Sequence, residues 1–187
     1  MISAVLDSCV LYSAPLRSFL LWLADSDLFR PHWSEDIREE WMRNLRANRS
    51  DLLWEQAEYT RRTMDSRFPN GLVRGYESIM PTLRLPDPND THVLAAAIQA
   101  KAEYIVTFNL SDFPATVLRT YGIEAWSPEQ FALLIIENAP YPVLRAVKKH
   151  RLSLLNPPKT VDEYLATLER QGLPKTVALL REHKDRI

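Results

Sequence analysis

The stretch NDTHVLAAAIQAKAEYIVTF, residues 89–108, decides the fold. Its first part, through Ala102, has the spacing of a helix whose face is almost wholly small and apolar, so it can pack closely on a sheet. EYIVTF, residues 103–108, follows at once as a strand. A close-packing helix handing over to a strand is half of a repeating pattern, and the other half lies to either side. Upstream, ISAVLDSCVLYS (residues 2–13) is a continuous run of β-formers and small apolar residues, the look of a strand buried on both faces of a parallel sheet. Pro15 then opens an apolar helix, PLRSFLLWLADSD. LFRPHW (28–33) is a short extended piece. Residues 34–68 read as two successive amphipathic helices, with Ser34 as N-cap and acids in the first turn. PNGLVRG breaks the pattern, and PTLRLP (81–86) is predicted to be a third strand.

Downstream, SDFPATVLRTYG makes a short helical passage and IEAW (123–126) a last strand. SPEQFALLIIENA begins a helix with Ser127 as N-cap and Pro128 at its first position. Strands alternating with helices imply right-handed crossovers and one open parallel sheet, here of about five strands, in an α/β fold. After about residue 139 the strand signals stop. The remaining segments are helical, with a capping box from Thr160 to Glu163 and a glycine stop at Gly172. The expected organisation is a domain over residues 1–138 and a helical extension over 139–187.

Composition narrows the chemistry. At 187 residues, 46% of them hydrophobic, the chain is long enough for a real core. Four glycines and no Gly-rich phosphate motif argue against nucleotide-binding loops. A net charge of −1 points in bulk to neither nucleic acid nor membrane. The lone Cys9 excludes an internal disulfide and a multi-cysteine zinc site, and fits a reducing compartment. The start has no basic stretch and meets Asp7 too early for a signal peptide, and the apolar runs are too short to span a bilayer. A cytoplasmic protein is expected.

In an open parallel sheet, ligands bind beyond the carboxyl ends of the strands. There the sequence places Asp7 after the first strand, Asp87 and Asp90 after the third, and Asn109 and Asp112 after EYIVTF. Glu39 and Glu40 come from the helix after RPHW. Two unit charges ~4 Å apart repel by about 4 kcal/mol at an effective dielectric of ~20, so such acids must protonate, spread or bind cations. All-oxygen ligands favour Mg²⁺ or Mn²⁺, and hard cations suit phosphodiester hydrolysis.

The segments AVLDSCVLYSA, SEDIREEW and DPNDTHVLAAAIQAKAEYIVTFNLSDFP resemble the PIN-domain nucleases over residues 1 to 138. They look most like the VapC-type toxins of bacterial toxin–antitoxin pairs, in a long form with a C-terminal helical extension. The resemblance implies a three-layer α/β/α fold and a metal-dependent ribonuclease restrained by a cognate antitoxin. By position, Asp7, Glu40, Asp90 and Asp112 match the family's catalytic acids, with Asp7, Asp90 and Asp112 as metal ligands. Thr107 matches the residue ending the preceding strand. One position departs: many PIN domains carry Asp two residues after that threonine, where this chain has Asn109. An amide can ligate a metal or a water but adds no charge.

Each candidate also has a plainer reading. Asp7 can hydrogen-bond a loop, Asp90 can serve a helix dipole, Asp87 can cap the turn before Pro88, and Asp112 can cap the short helix that follows. Glu39 competes with Glu40, for on a helix only one of them faces the site, and Trp41, Leu45 and Leu52 mark the core stripe without deciding which. His32 and His92 lack metal-ligand spacing. RNA contact is expected from Arg43, Arg46, Arg61 and Arg62, with Arg49 and Arg67 beside them, interleaved with Trp and Tyr; a solvated helix face is the alternative. VKKHR (147–151) is a weaker patch. The extension can cover a sheet edge, make a homodimer contact or receive the antitoxin. Two other functions compete: a non-catalytic PIN scaffold binding RNA or protein, and a phosphatase of the haloacid dehalogenase type. The latter wants a second Asp where Cys9 stands.

Overall fold

A computed structural model describes residues 1–48 and 54–187. Arg49 and Leu52, named above, lie outside the described residues. The chain divides into two compact units.

The first unit comprises Ile2–Tyr12 and Arg30–Trp126. Its sheet is built from β1 (Ser3–Leu6), β2 (Arg30–His32), β3 (Tyr104–Val106) and β4 (Glu124–Trp126), all parallel, in the order β2-β1-β3-β4. Central β1 sets Val5 opposite both His32 and Ile105, and its four residues are all buried. The sheet has four strands where about five are expected, and two segments account for the difference from the sequence reading. PTLRLP is not a strand: residues Met80–Thr82 wind into a 3-10 turn, with Pro81 and Pro86 lacking the N–H groups that a ladder uses. The first apolar run is also shorter than expected. It leaves the sheet at Leu6, and α1 (Ser8–Tyr12) begins at once, because the Asp7 carbonyl accepts from the N–H groups of Val10 and Leu11.

The same unit carries three longer helices, α3 (Glu35–Asn48), α4 (Trp54–Arg67) and α5 (Thr91–Ala100). Ser34 caps α3, its hydroxyl accepting from Ile37 N at 3.2 Å. Buried Arg38 ties α3 to α4 by donating to Asp65 at 2.6 Å, and it also pairs with Glu35. In α5 the run Val93 to Ala97 is buried without interruption, as its small side chains foretell. The short α6 (Ala115–Leu118) precedes β4.

The second unit comprises Met1, Ser13–Phe29 and Ser127–Ile187. It holds α2 (Ala14–Asp25), α7 (Pro128–Asn138), α8 (Pro140–Ser153), α9 (Val161–Glu169) and α10 (Pro174–Arg181). Helix α2 packs on α8 and α9, α7 on α8 and α10, and α9 on α10. Both expected caps form, and each is a full capping box: Ser127 with Gln130, and Thr160 with Glu163. Gly172 takes the left-handed φ of 83° that ends α9's turn. His150 of α8 lies buried between α2 and α9, bonded to Ser18 Oγ and Tyr164 Oη at 2.9 Å each and stacked on Trp22. Its burial removes it from the basic patch expected of VKKHR. Among the described residues no helix is long and apolar enough to cross a membrane.

Candidate active site

Asp7 emerges from β1 with 3% of its surface exposed. A buried carboxylate must be hydrogen-bonded, and this one is. Oδ1 accepts from Ser8 N at 2.6 Å. Oδ2 accepts from the Thr107 hydroxyl at 2.7 Å and from the Cys9 thiol at 3.2 Å. Thr107, fully buried at the end of β3, in turn accepts from Asn109 N at 3.0 Å. Burial, and then the charge of Asp7, push the Cys9 thiol up to about 12. Cys9 therefore keeps its proton and donates it, so it holds Asp7 in place. In the sequence, Cys9 betrays this role only by standing two residues beyond Asp7.

The acids from the other elements gather around Asp90. Burial and the charges of Asp7, Asp87, Asp112 and Glu40, in that order, raise its carboxyl to about 6. Asp87 accepts from Asn89 N at 2.9 Å and caps the 3-10 turn Pro88–Asp90, which delivers Asp90 to the start of α5. Asp112 ends a second 3-10 turn, Leu110–Asp112, half-buried. It is not an N-cap, since that position before α6 belongs to Pro114. Asn109 is exposed.

Glu40 and Glu39 part company. Glu40 is half-buried, and its carboxyl lies below the ordinary range, chiefly because His92 holds the ionised form, with Ser8 bonding to it and Arg43 nearby. His92 Nε2 stands 3.6 Å from Glu40 Oε2, an ion-pair distance rather than a tight hydrogen bond. Nδ1 of the same ring is buried with no hydrogen-bond partner among the described residues. Glu39 is exposed and lines a separate cleft with Arg43, Arg46 and Arg61. Arg62 is exposed on α4.

Four carboxylates thus act by their charge on a fifth, Asp90, close to the carboxyl end of β1. Among the described residues, no three acidic, histidine or cysteine side chains are drawn together into a closed metal cluster. Uncompensated like charges repel, so open spacing is the arrangement expected of them. The donors are oxygens, the set that hard divalent cations prefer.

The family model described as PIN domain matches residues 3–111, more than half of the chain. The chain belongs to the PIN-domain family. A second model, the VapC50 C-terminal domain, matches residues 128–182, which run from the start of α7 just past the end of α10. The chain therefore joins a PIN domain to a C-terminal extension of the VapC50 kind. It is similar to the protein named "Putative ribonuclease VapC50" of Mycobacterium tuberculosis (strain ATCC 25618 / H37Rv), with 40% identity over 75 residues. That stretch is 38% of this chain and 44% of the relative, so the chain spans less than half the length of the curated relative it matches. No solved structure matches it.

Proposed function

We propose that this PIN-domain protein is a metal-dependent endoribonuclease acting as the toxin of a toxin–antitoxin pair. The observation that carries the reading is Asp90, whose carboxyl is raised to about 6 first by burial and then by the charges of Asp7, Asp87, Asp112 and Glu40. Acids held against their mutual repulsion mark a functional site more often than a structural one. The similarity to the protein named "Putative ribonuclease VapC50" supports RNA as substrate, and the VapC-type resemblance is the ground for a cognate antitoxin as partner.

In this reading Asp7, Asp90 and Asp112 hold Mg²⁺ or Mn²⁺. When bound, the cation supplies an activated water and offsets charge on the phosphate. The chain's own groups do the rest. Thr107, Cys9 and Ser8 N fix the Asp7 carboxylate so that it does not turn away from the other acids. Glu40, kept ionised by His92 and Ser8, is the proton acceptor. Arg43, Arg46, Arg61 and Arg62 supply positive charge for the RNA backbone.

One observation favours a second reading, a non-catalytic PIN scaffold that binds RNA or protein: Asn109 is an exposed amide where many relatives of the fold carry an acid. Incubating the purified protein with mixed tRNA and rRNA separates the two. Discrete cuts are expected with Mg²⁺ or Mn²⁺, none with EDTA, and at least a ~100-fold loss in Asp90→Asn. Growth arrest on expression, relieved by Asp7→Ala, is expected of a toxin. Folded protein free of any bound inhibitor that makes no cuts with either metal would instead establish the scaffold.

A further inference from the structure

Within the second unit, helix α8 has an uncovered apolar feature near each of its ends, and the two have opposite shapes. At its start lies a hollow of about 230 Å³, lined by Leu144 of α8, Ile136 of α7, and Leu179 and Leu180 of α10. That is smaller than the ~300–1,000 Å³ of sites that take drug-sized ligands, and it suits one or two apolar side chains. Exposed Glu137 and Glu182 also line it, with the half-buried His183, and give it a negative edge. At the far end of α8 the chain makes a knuckle. Leu152 is 55% exposed and Leu155 69%, and Pro157 and Pro158 are exposed beside them. Leu155 and Pro158 bridge across the turn, which keeps the knuckle compact. One exposed leucine is ordinary, but four apolar residues run together mark a contact site.

The two features also differ in sign. Helix α8 exposes Arg145, Lys148 and Lys149 and carries no acid along its whole length. Lys148 and Lys149 stand four and three residues before Leu152, so they neighbour it on the helix surface. Among the described residues, none of Glu137, Glu182, Lys148 and Lys149 has an ion-pair partner. An apolar knuckle backed by lysines is the counterpart of an apolar hollow edged by glutamates, and one chain carries both. Leu144 and Leu152 are about 12 Å apart along α8 and less than a quarter-turn apart around it. A rigid helix therefore keeps each knuckle out of its own hollow. A second α8 laid antiparallel to the first brings each knuckle to the other's hollow, and uses both features of both chains at once. A contact reciprocal in this way closes into a two-fold pair.

We propose that the C-terminal helices are a self-association surface, in which Leu152 and Leu155 of one copy seat in the hollow of a second copy, with Lys148 and Lys149 against the second copy's Glu137 and Glu182. The two prolines hold the turn of the knuckle in few conformations, so little entropy is lost when it docks. The inference stands on the second unit alone and does not depend on the ribonuclease reading.

The test measures the mass of the full chain by sedimentation over a wide range of concentration. A monomer–dimer equilibrium with no larger species is expected. Leu155→Asp, on the knuckle, and Leu179→Asp, in the hollow, should each weaken the dimer at least ~30-fold, the usual worth of a central apolar anchor, with folding checked by circular dichroism. Charge reversal separates the reciprocal contact from any other. Lys148→Glu with Lys149→Glu sets acids against acids and should weaken the dimer. Glu137→Lys with Glu182→Lys sets cations against cations and should weaken it too. Mixed in equal amounts, these two double variants should pair with each other more tightly than either pairs with itself, because every contact then joins opposite charges. A native chain that stays monomeric throughout overturns the proposal. A dimer indifferent to Leu155→Asp and to both reversals overturns it as well, since its contact lies elsewhere. So does a mass that climbs without limit, the mark of an open chain of copies, or a mixture of the folded double variants that pairs no better than each alone.

Discussion

At the scale of single residues, one step along α3 separates two fates. Glu40 joins the acids around Asp90, while Glu39 lines the arginine cleft. Glu40→Gln should lower the cleavage rate by about 100-fold or more, the usual range for losing a positioned acid or base. Glu39→Gln, which removes negative charge beside Arg43 and Arg46, should instead lower KM. His92 acts through Glu40, so His92→Ala should reduce kcat about tenfold, the worth of one charge-assisted contact, and His92→Gln should recover part of it. Steady-state cleavage of one oligoribonucleotide by the four variants gives all of these values; equal kcat for Glu39→Gln and Glu40→Gln would remove the distinction. The gathering of Asp7, Asp87 and Asp112 around the Asp90 carboxylate was legible in the sequence, because each of the four lies just after an apolar run or beside the start of a helical turn. The resemblance picked Glu40 over Glu39, but the residues alone did not. Helical phase alone cannot fix it, and the groups that do, Ser8 and His92, lie far away along the chain. Nor was Cys9 legible as the donor to Asp7, since a thiol beside an acid reads as packing until the distance is known.

At the scale of elements, local pattern and tertiary pairing carry different information. The capping boxes of α7 and α9 and the small-residue face of α5 are local, and they stood in the sequence as they stand in the fold. Strand identity is not local. PTLRLP has a strand's composition, but a strand exists only with a partner, and Pro81 and Pro86 limit what the segment can offer one. A buried polar contact between helices is equally invisible in sequence. His150 joins α8 to Ser18 and Trp22 of α2 and to Tyr164 of α9, and burial lowers its imidazole from 6.5 to about 4. The folded unit thus holds the neutral ring, while the unfolded chain binds a proton near pH 6.5. The unfolded state therefore binds more protons between these values, and stability falls as the pH drops. The contribution is complete above about pH 6.5 and is lost as the pH falls through about 4, up to about 3 kcal/mol. Urea unfolding of the native chain and of His150→Gln, at intervals from pH 7.5 to 4, should show the stability difference shrinking across that window. A pH-independent difference would mean that His150 is not held neutral.

At the scale of the whole molecule, the chain is not partitioned end to end. The unit that contains the C-terminal helices also contains α2, which leaves the chain between β1 and β2. The sequence places the end of the strand signals at about residue 139, whereas the unit boundary falls at Trp126, and the membership of α2 was not visible at all. An amphipathic face looks the same whichever partner covers it. The arrangement has a consequence for truncation. Leu16, Phe19, Leu20 and Leu23 of α2 are at most 1% exposed, and α2 packs on α8 and α9. At roughly 1.5–3 kcal/mol per buried side chain, these four contribute about 6–12 kcal/mol, comparable to the ~5–15 kcal/mol that holds a whole domain together. Removing residues 127–187 takes away both covering helices and leaves a contiguous apolar stripe, the kind of surface that drives association. A fragment of residues 1–126 should therefore keep every acid of the candidate site and still fail as an enzyme. It should elute as aggregate in size-exclusion chromatography, bind a hydrophobic dye and melt without a cooperative transition. Supplying residues 127–187 as a separate chain during refolding should restore a soluble complex, since the missing cover is non-covalent. A monomeric 1–126 fragment with a sharp thermal transition would show that α2 finds its cover within the first 126 residues, and would free the unit that carries the acids from the C-terminal helices.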